Sequence, residues 1–234
     1  MADTKAHQKY RSKVQMQKNG KGKIYPGVTT ILKNLGWSTF NLLKWTREQM
    51  AAGEDPEAIK RDSGDSGTCC HKMVERHVRA QLGLKDLGDS FLRDFDANQI
   101  QQAENGFLGF LKWEATQDFR YVASEMKVLS EKWLFGGTAD IIVMDAEGWI
   151  HLIDIKTGSG IYDDMIAQTA SYSKAYEEQE GVEVRQNHIV RLDKGAEEGA
   201  YEHRVISKKE MGWGWKVFLC ARELHELHKR RELK

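Results

Sequence analysis

Two short apolar runs joined by a turn constrain the fold of this chain more than any other feature. The runs cover residues 135–144 and 149–156, are rich in Ile and Val, and are separated by the turn sequence Asp-Ala-Glu-Gly. Short β-branched runs on either side of a turn that ends in Gly predict a β-hairpin. A helical run over residues 162–179 follows. The sequence therefore predicts a strongly apolar hairpin that leads into a helix.

Three charged side chains interrupt this apolar hairpin. Asp154 and Lys156 are two residues apart, so both side chains leave the strand on one face. If Met144 pairs close to Trp149, Asp140 comes opposite Asp154 or the residue before it. Two carboxylates crowded in this way repel each other unless a cation lies between them. An ordinary solvated Asp–Lys pair is the alternative, but the second Asp across the hairpin favours a metal site.

The hairpin and the following helix carry three motifs that are specific in combination. Gly-Gly-Thr-Ala-Asp ends at Asp140, Asp-Ile-Lys-Thr-Gly begins at Asp154, and Gln-Thr-Ala-Ser-Tyr runs from Gln168 to Tyr172. Together they resemble the motifs of the PD-(D/E)XK nuclease superfamily, in which the RecB-type branch carries the helical Gln-x-x-x-Tyr. The mitochondrial genome-maintenance exonucleases and the phage exonucleases are similar members. Ala139 stands where the family name has Pro, a position that varies within the superfamily.

The resemblance covers residues 26–206 and implies an α/β fold with a restriction-endonuclease-like core. In that core, a mixed central sheet flanked by helices follows the order αβββαβ. The hydrophobic pattern agrees, because a helix, three strands beginning at residues 119–129, a helix and a strand follow one another. We expect residues 1–24 to form a basic flexible arm and residues 25–234 to form a single nuclease domain, with a helical cap over residues 38–62.

Caps and helix breakers predict the helices that precede the sheet. Asp55 and Pro56 fit the N-cap and the first turn of a helix. Residues 64–78 are predicted as a further helix with loose glycines at its start, and residues 89–117 as a long helical stretch that the Asn-Gly at 105–106 interrupts.

The helix over residues 64–78 carries a second candidate site element. His71 and Glu75 are four residues apart, so they lie on one helix face. A single helical His is more often structural than functional. The pattern Gly-Thr-x-x-His-x-x-x-Glu nevertheless resembles the first motif of the RecB-type nucleases, in which the His is a metal ligand. By that resemblance we expect Glu75 to hold a catalytic water.

The resemblance also implies the remaining metal ligands. Asp140 and Asp154 are expected to be the principal ligands, with His71 as a third and the carbonyl of Ile155 as a fourth. One or two Mg²⁺ or Mn²⁺ ions suit an imidazole and two carboxylates. A divalent ion neutralises phosphate charge and lowers the pKa of a bound water. Lys156 is expected to orient or deprotonate that water, or to stabilise the developing charge.

Several further residues are candidates for contacts with DNA or with the ligands. Gln168 and Tyr172 lie four apart on one helix side and either position the DNA strand or pack the helix on the sheet. The hydroxyls of Thr29 and Thr30 are candidates for phosphate contacts, with a buried anchoring segment as the alternative. Glu125 lies fifteen residues before Asp140, the same offset as in the mitochondrial genome-maintenance exonucleases, and this resemblance implies a supporting residue behind the metal ligands; a surface position is the alternative.

The helical cap contains both basic and aromatic candidates. Lys44 and Arg47 belong either to an ordinary solvated face or to an arch that guides a single DNA strand. Tryptophans that could stack on bases, or else lie buried, are Trp45 within the cap and Trp37 and Trp113 outside it.

Charge is balanced over the chain but not along it. The 35 Lys and Arg residues equal the 35 Asp and Glu residues, so the net charge is zero. Nucleic-acid enzymes are more often basic, but local basic patches matter more than the total. Such patches occur within residues 1–24 and at 229–231.

The cysteines and the apolar runs limit the class of protein further. The three cysteines, Cys69, Cys70 and Cys220, give no disulfide framework and suit a reducing compartment. They are too few for the four-cysteine iron–sulfur cluster of some RecB-type relatives, so we expect no cluster. No run reaches the roughly twenty apolar residues of a membrane span, and the N-terminus lacks a secretion signal. We expect a soluble cytoplasmic protein of cellular or viral origin.

These observations predict a divalent-metal-dependent DNA exonuclease that prefers single strands or DNA ends and acts in recombination, repair or replication. A structure-specific or nicking endonuclease with the same core is one alternative, and a non-catalytic DNA-end-binding module is another. The sequence has no Gly-x-x-x-x-Gly-Lys-Ser/Thr loop, so ATP-driven unwinding would require a helicase or recombinase partner.

Overall fold

A computed structural model describes residues 10–14 and 22–232, with the side chain of residue 232 excluded. The regular elements of these residues are, in chain order, β1 (Tyr10–Arg11), β2 (Ile24–Tyr25), α1 (Val28–Leu32), α2 (Thr39–Ala51), α3 (Pro56–Gln81), α4 (Ala97–Glu114), β3 (Arg120–Ser130), β4 (Phe135–Met144), β5 (Ile150–Lys156), α5 (Asp163–Glu180), β6 (Val184–Asp193), β7 (Ala200–Ile206) and α6 (Lys208–Glu232).

A five-stranded mixed sheet in the order β3-β4-β5-β6-β7 forms the centre of the molecule. Neighbouring strands are antiparallel, except that β5 and β6 are parallel. A parallel pair needs a crossover connection, and α5 provides it. The predicted order of helix, three strands, helix and strand is confirmed, and so is the restriction-endonuclease-like α/β core.

Helices cover both faces of the sheet. One apolar cluster joins Leu152 and Ile142 of the sheet to Tyr172 of α5 and Phe218 of α6. A second cluster, on α3 and α4, packs against the sheet residues Ile141, Val143, Ile153 and Ile155. Strands that are buried on both faces have continuous rather than alternating apolar runs. This explains why β4 and β5 are so strongly apolar.

The hairpin of β4 and β5 has a register close to the predicted one. Ile141 pairs with Ile153 at the end of the ladder, and this register, extended by one residue, brings Asp140 opposite Asp154. At the turn, the Oδ1 atom of Asp145 accepts a hydrogen bond of 2.7 Å from the amide of Trp149. The register therefore places the two carboxylates opposite each other.

Two predicted helix breaks are wrong. Residues 56–81 form one continuous helix through Gly64 and Gly67, and α4 continues through Asn105 and Gly106. Close packing explains two of these glycines: a Cβ on Gly67 would lie 2.6 Å from Oγ1 of Thr157, and one on Gly106 would lie 2.9 Å from a cysteine Sγ. Of the helices described here, none is both long and apolar enough to cross a membrane.

Part of the predicted N-terminal arm is described, and it contacts the sheet. β1 pairs with β2, and a Cβ on Gly136 of β4 would lie 2.4 Å from the ring of Tyr10. The carboxylate of Glu131 accepts hydrogen bonds from the Ser12 hydroxyl and the Lys13 amide, at 2.9 and 2.8 Å. The rest of the predicted arm, residues 1–9 and 15–21, lies outside the described residues.

Candidate active site

Three potential metal ligands from three elements meet at one edge of the hairpin. The ligand atoms of His71 on α3, Glu125 on β3 and Asp140 on β4 all lie within 4.8 Å of one another. The Nδ1 atom of His71 is 3.9 Å from Oδ2 of Asp140. Within residues 10–14 and 22–232, these are the His, Cys, Asp and Glu side chains that form a group of three at such distances.

Glu125 reaches this group through an unusual backbone conformation. Its neighbours Ser124 and Met126 pair with Ile141 and Ala139, so Glu125 lies opposite Asp140 across the two strands. Opposed residues of an antiparallel pair point to the same face. The φ angle of Glu125 is 48°, a left-handed value that costs a non-glycine residue about 1–3 kcal/mol and that is found most often at functional sites.

Asp140 is buried and held by the neighbouring strand. Only 5% of its surface is exposed, and its Oδ2 atom accepts a hydrogen bond of 2.8 Å from the amide of Ile155. A buried carboxylate requires such partners because desolvation of a charge is costly. The hydrogen bond also fixes the middle of β4 relative to the end of β5.

A chain of polar contacts runs from β5 to α5. The Nζ atom of Lys156 is 2.6 Å from Oδ2 of Asp154 and donates to Oε1 of Gln168 at 3.0 Å. Nε2 of Gln168 in turn donates to the hydroxyl of Tyr172 at 2.7 Å. A Cβ on Gly137 would lie 2.2 Å from the ring of Tyr172, so only glycine allows this approach. The chain fixes the ammonium group of Lys156 beside the aspartate pair.

The two glutamates that the sequence indicated have different surroundings, and the predicted water-holding role of Glu75 stays a prediction. Glu125, expected behind the ligands, lies within the three-residue group. Glu75, expected to hold a water, lies outside that group, and Oε1 is 3.8 Å from a guanidinium nitrogen of Arg79. The offset of fifteen residues from Asp140 was the signal for Glu125, but it did not reveal the positive φ that directs the side chain. For Ile155, the contact with Asp140 is made by the amide, and the role of its carbonyl stays a prediction.

The four predicted phosphate-binding residues lie outside the three-residue group. Thr29 and Thr30 are exposed on α1, and Lys44 and Arg47 are exposed on α2. Lys44 forms an exposed ion pair of 3.9 Å with Glu48, which adds little stability. These side chains are therefore available to solvent.

The donor set of the group fits a divalent cation. Two carboxylates and an imidazole are a combination that binds Mn²⁺ and tolerates Mg²⁺. The carboxylates of Glu125 and Asp140 repel each other at this distance, and a cation between them removes the repulsion. The register adds Asp154 as a further carboxylate opposite Asp140.

Comparisons with known proteins show the family to which the chain is similar. The model of the PD-(D/E)XK nuclease superfamily matches residues 42–228. Among solved structures, a candidate exonuclease from Eubacterium rectale is similar with 12% identity over 68% of each chain and a TM-score of 0.43. LHK-Exo in complex with dAMP is similar with 14% identity over 65% of this chain and 80% of that chain, and a TM-score of 0.30. No curated protein matches the sequence.

Proposed function

Since the chain belongs to the PD-(D/E)XK nuclease superfamily, we propose that it is a divalent-metal-dependent DNA exonuclease that prefers single strands or DNA ends. The observation that carries this proposal is the convergence of His71, Glu125 and Asp140 beside the Asp154–Lys156 pair. A binding module has no need for an ammonium group fixed next to such a cluster of ligands.

The proposed ion is held by Asp140, Glu125 and His71, with Asp154 next to them. When bound, the ion supplies Lewis-acid chemistry by neutralising phosphate charge and lowering the pKa of a water. Asp140 contributes a carboxylate whose orientation is set by the amide of Ile155. His71 contributes a ring nitrogen from α3 and so ties that helix to the sheet.

Lys156 is proposed to orient or deprotonate the attacking water, or to stabilise the developing negative charge. Its Nζ carries protons that can be donated to a phosphoryl oxygen, and its contacts with Asp154 and Gln168 fix its position. Tyr172 supports Gln168 and thereby Lys156. In the proposed hydrolysis, water attacks the phosphorus, the P–O3′ bond breaks and the 3′-oxygen leaves as a hydroxyl, so the products carry 5′-phosphates.

DNA reaches this site over surfaces that carry exposed polar and basic groups. Thr29 and Thr30 on α1 and Lys44 and Arg47 on α2 are proposed to contact phosphates. Contacts of this kind bind DNA without sequence preference and weaken as salt is added. The proposed activity would serve DNA recombination, repair or replication.

The deciding experiment uses linear single-stranded DNA labelled at either end, and circular single-stranded DNA, with Mg²⁺, with Mn²⁺ and with EDTA. We expect metal-dependent loss of the linear DNA, an intact circle, and full inhibition by EDTA. The order in which the two labels are released gives the polarity. A cut circle would replace the exonuclease with an endonuclease, and intact DNA under every condition would contradict a stand-alone nuclease.

A further inference from the structure

A cleft next to the proposed active site is not used by the mechanism above. It has a volume of about 680 Å³ and lies between α2 and the loop that joins β5 to α5. Its lining consists of Trp37, Ser38, Asn41, Leu42 and Trp45 on one side and Ser159, Tyr162, Asp163 and Asp164 on the other. The volume is that of a small-ligand site.

The walls of the cleft are aromatic and exposed. Trp37 is 46% exposed and Tyr162 is 48% exposed, and none of the residues of α2 is buried. A helix without a buried face, flanked by exposed aromatic rings, indicates a surface that another molecule covers. Trp37 also stacks on Trp213 of α6, with ring centroids 6.1 Å apart and planes at 24°, which holds the Trp37 ring in place.

The cleft is connected directly to the catalytic strand. Ser159 lies three residues after Lys156, so their Cα atoms are at most about 11 Å apart. On the other side of the cleft, α5 begins at Asp163 and carries Gln168, which holds Lys156. A DNA strand whose phosphate lies at Lys156 therefore brings an adjacent nucleotide within reach of the cleft.

The charges of the cleft determine which part of a nucleotide fits. Asp163 and Asp164 are the charged residues of the lining, so their carboxylates repel a phosphate. A nucleobase is neutral and can stack on Trp37 or Tyr162. Carboxylates accept hydrogen bonds from exocyclic amino groups, as they do from N4 of cytosine, whereas thymine has no such group.

We propose that this cleft binds one unstacked nucleobase of the DNA strand and that it favours bases with an exocyclic amino group over thymine. The proposal rests on the proposed nuclease function and makes it more specific, because a base in the cleft cannot remain stacked in a duplex. Flipping out a paired base costs a few kcal/mol, so unpaired DNA is bound in preference.

Binding in EDTA tests the cleft separately from hydrolysis. The probes are labelled oligonucleotides of equal length and charge, composed of dC, of dT or of abasic tetrahydrofuran residues, and the readout is fluorescence anisotropy. We expect dC to bind about tenfold more tightly than the abasic strand, with dT between them. The Trp37→Ala/Tyr162→Ala variant should bind dC and the abasic strand equally.

Two further variants separate the cleft from a general effect on α2. Asp163→Ala/Asp164→Ala should remove the difference between dC and dT while a preference for dC over the abasic strand persists. Leu43→Ala changes an exposed apolar residue that lines another groove of the same helix, and it should bind like the unaltered protein. Equal binding of dC and abasic DNA by the unaltered protein would overturn the proposal. So would a loss in Leu43→Ala as large as that in the aromatic variant.

The two proposals fail in different ways. If the unaltered protein shows no base preference in EDTA, the proposal of a base-binding cleft is wrong, whereas the result of the nuclease assay still stands. If the protein hydrolyses no DNA with metal but clearly prefers dC in EDTA, the proposed nuclease activity is wrong and the cleft remains a base-binding site.

Discussion

Lys156 connects two elements at the candidate active site, because its ammonium group touches Asp154 of its own strand and Gln168 of α5. Removing a preorganised positive group from a developing negative charge costs about 100- to 1,000-fold in rate. We therefore expect Lys156→Ala to lower kcat on single-stranded DNA by at least this factor, and also to lower thermal stability, because the buried carboxylate of Asp154 loses its ion-pair partner. The matched control is Lys174→Ala, which removes an exposed lysine of α5 that pairs with Glu177. A Lys156→Ala enzyme with normal kcat would contradict the assigned role.

The two glutamates give a second prediction at the residue scale. Glu125 lies in the three-residue group and Glu75 does not, so Glu125→Gln should weaken Mn²⁺ binding at least about tenfold and Glu75→Gln much less. Titration of Mn²⁺ followed by electron paramagnetic resonance measures both affinities without any nuclease assay. Equal losses in the two variants would place both carboxylates at the ion, and a larger loss in Glu75→Gln would restore the arrangement expected from the sequence.

At this scale the sequence predicted positions that depend on local geometry. Asp140, Asp154 and Lys156 follow from strand alternation and from the register of a short hairpin, and both are local properties. The location of Glu125 depends on a positive φ angle that no residue preference would indicate, because Glu rarely adopts it. Glu75 has the correct helix face relative to His71, but a face does not determine which of several neighbours a side chain contacts.

Among the elements, α3 carries His71 and is positioned by Gly67, one turn earlier. A Cβ on Gly67 would lie 2.6 Å from Oγ1 of Thr157, the residue after Lys156. Gly67→Ala should therefore push α3 away from the end of β5, lower the free energy of unfolding by about 1–3 kcal/mol, and weaken Mn²⁺ binding. Gly64→Ala is the control on the same helix, because a Cβ there meets nothing within 4 Å. It should raise stability by about 0.4–1 kcal/mol.

Urea unfolding and Mn²⁺ titration of the two variants measure these effects. If Gly67→Ala were as stable as Gly64→Ala and bound Mn²⁺ normally, the close approach of α3 to β5 would not position His71. The same contact explains why the sequence predicted a break at this place. A glycine in a helical pattern indicates either a break or close packing, and only the tertiary structure distinguishes the two.

Across the whole molecule, a hydrogen-bonded relay of three histidines crosses the strands β5, β6 and β7. His151, His188 and His203 are linked in sequence at 3.0 and 2.9 Å, and His151 is 3.0 Å from the carboxylate of Asp145. If each ring is neutral and donates from Nε2, every bond of the relay is satisfied, with Asp145 as the final acceptor. This relay could not be predicted from the sequence, because its members come together only through the order of the strands.

The relay predicts how the stability of the whole molecule depends on pH. Burial, together with the neighbouring His203 and His151, lowers the pKa of His188 from 6.5 to about 3. Burial also lowers the pKa of His203. Between the folded pKa and the unfolded pKa of each of these two histidines, the unfolded chain carries a proton on the imidazole that the folded protein lacks. Stability is therefore full above the unfolded pKa and falls as the pH decreases below it, by about 1.4 kcal/mol per pH unit for His188, and His203 contributes a fall in the same direction.

Urea unfolding curves recorded at a series of pH values between 4.5 and 8, with all other conditions unchanged, measure this slope. His188→Gln should be less stable than the unaltered protein at pH 8, because His151 and His203 lose their partner. The stability of this variant should also change less steeply below pH 6.5, since one buried histidine no longer resists protonation. His228→Gln, which alters an exposed histidine of α6, should retain the full slope. If His188 resists protonation in the folded protein, its removal must change the number of protons that are taken up on unfolding. An unchanged slope in His188→Gln would therefore mean that other groups determine the acid sensitivity.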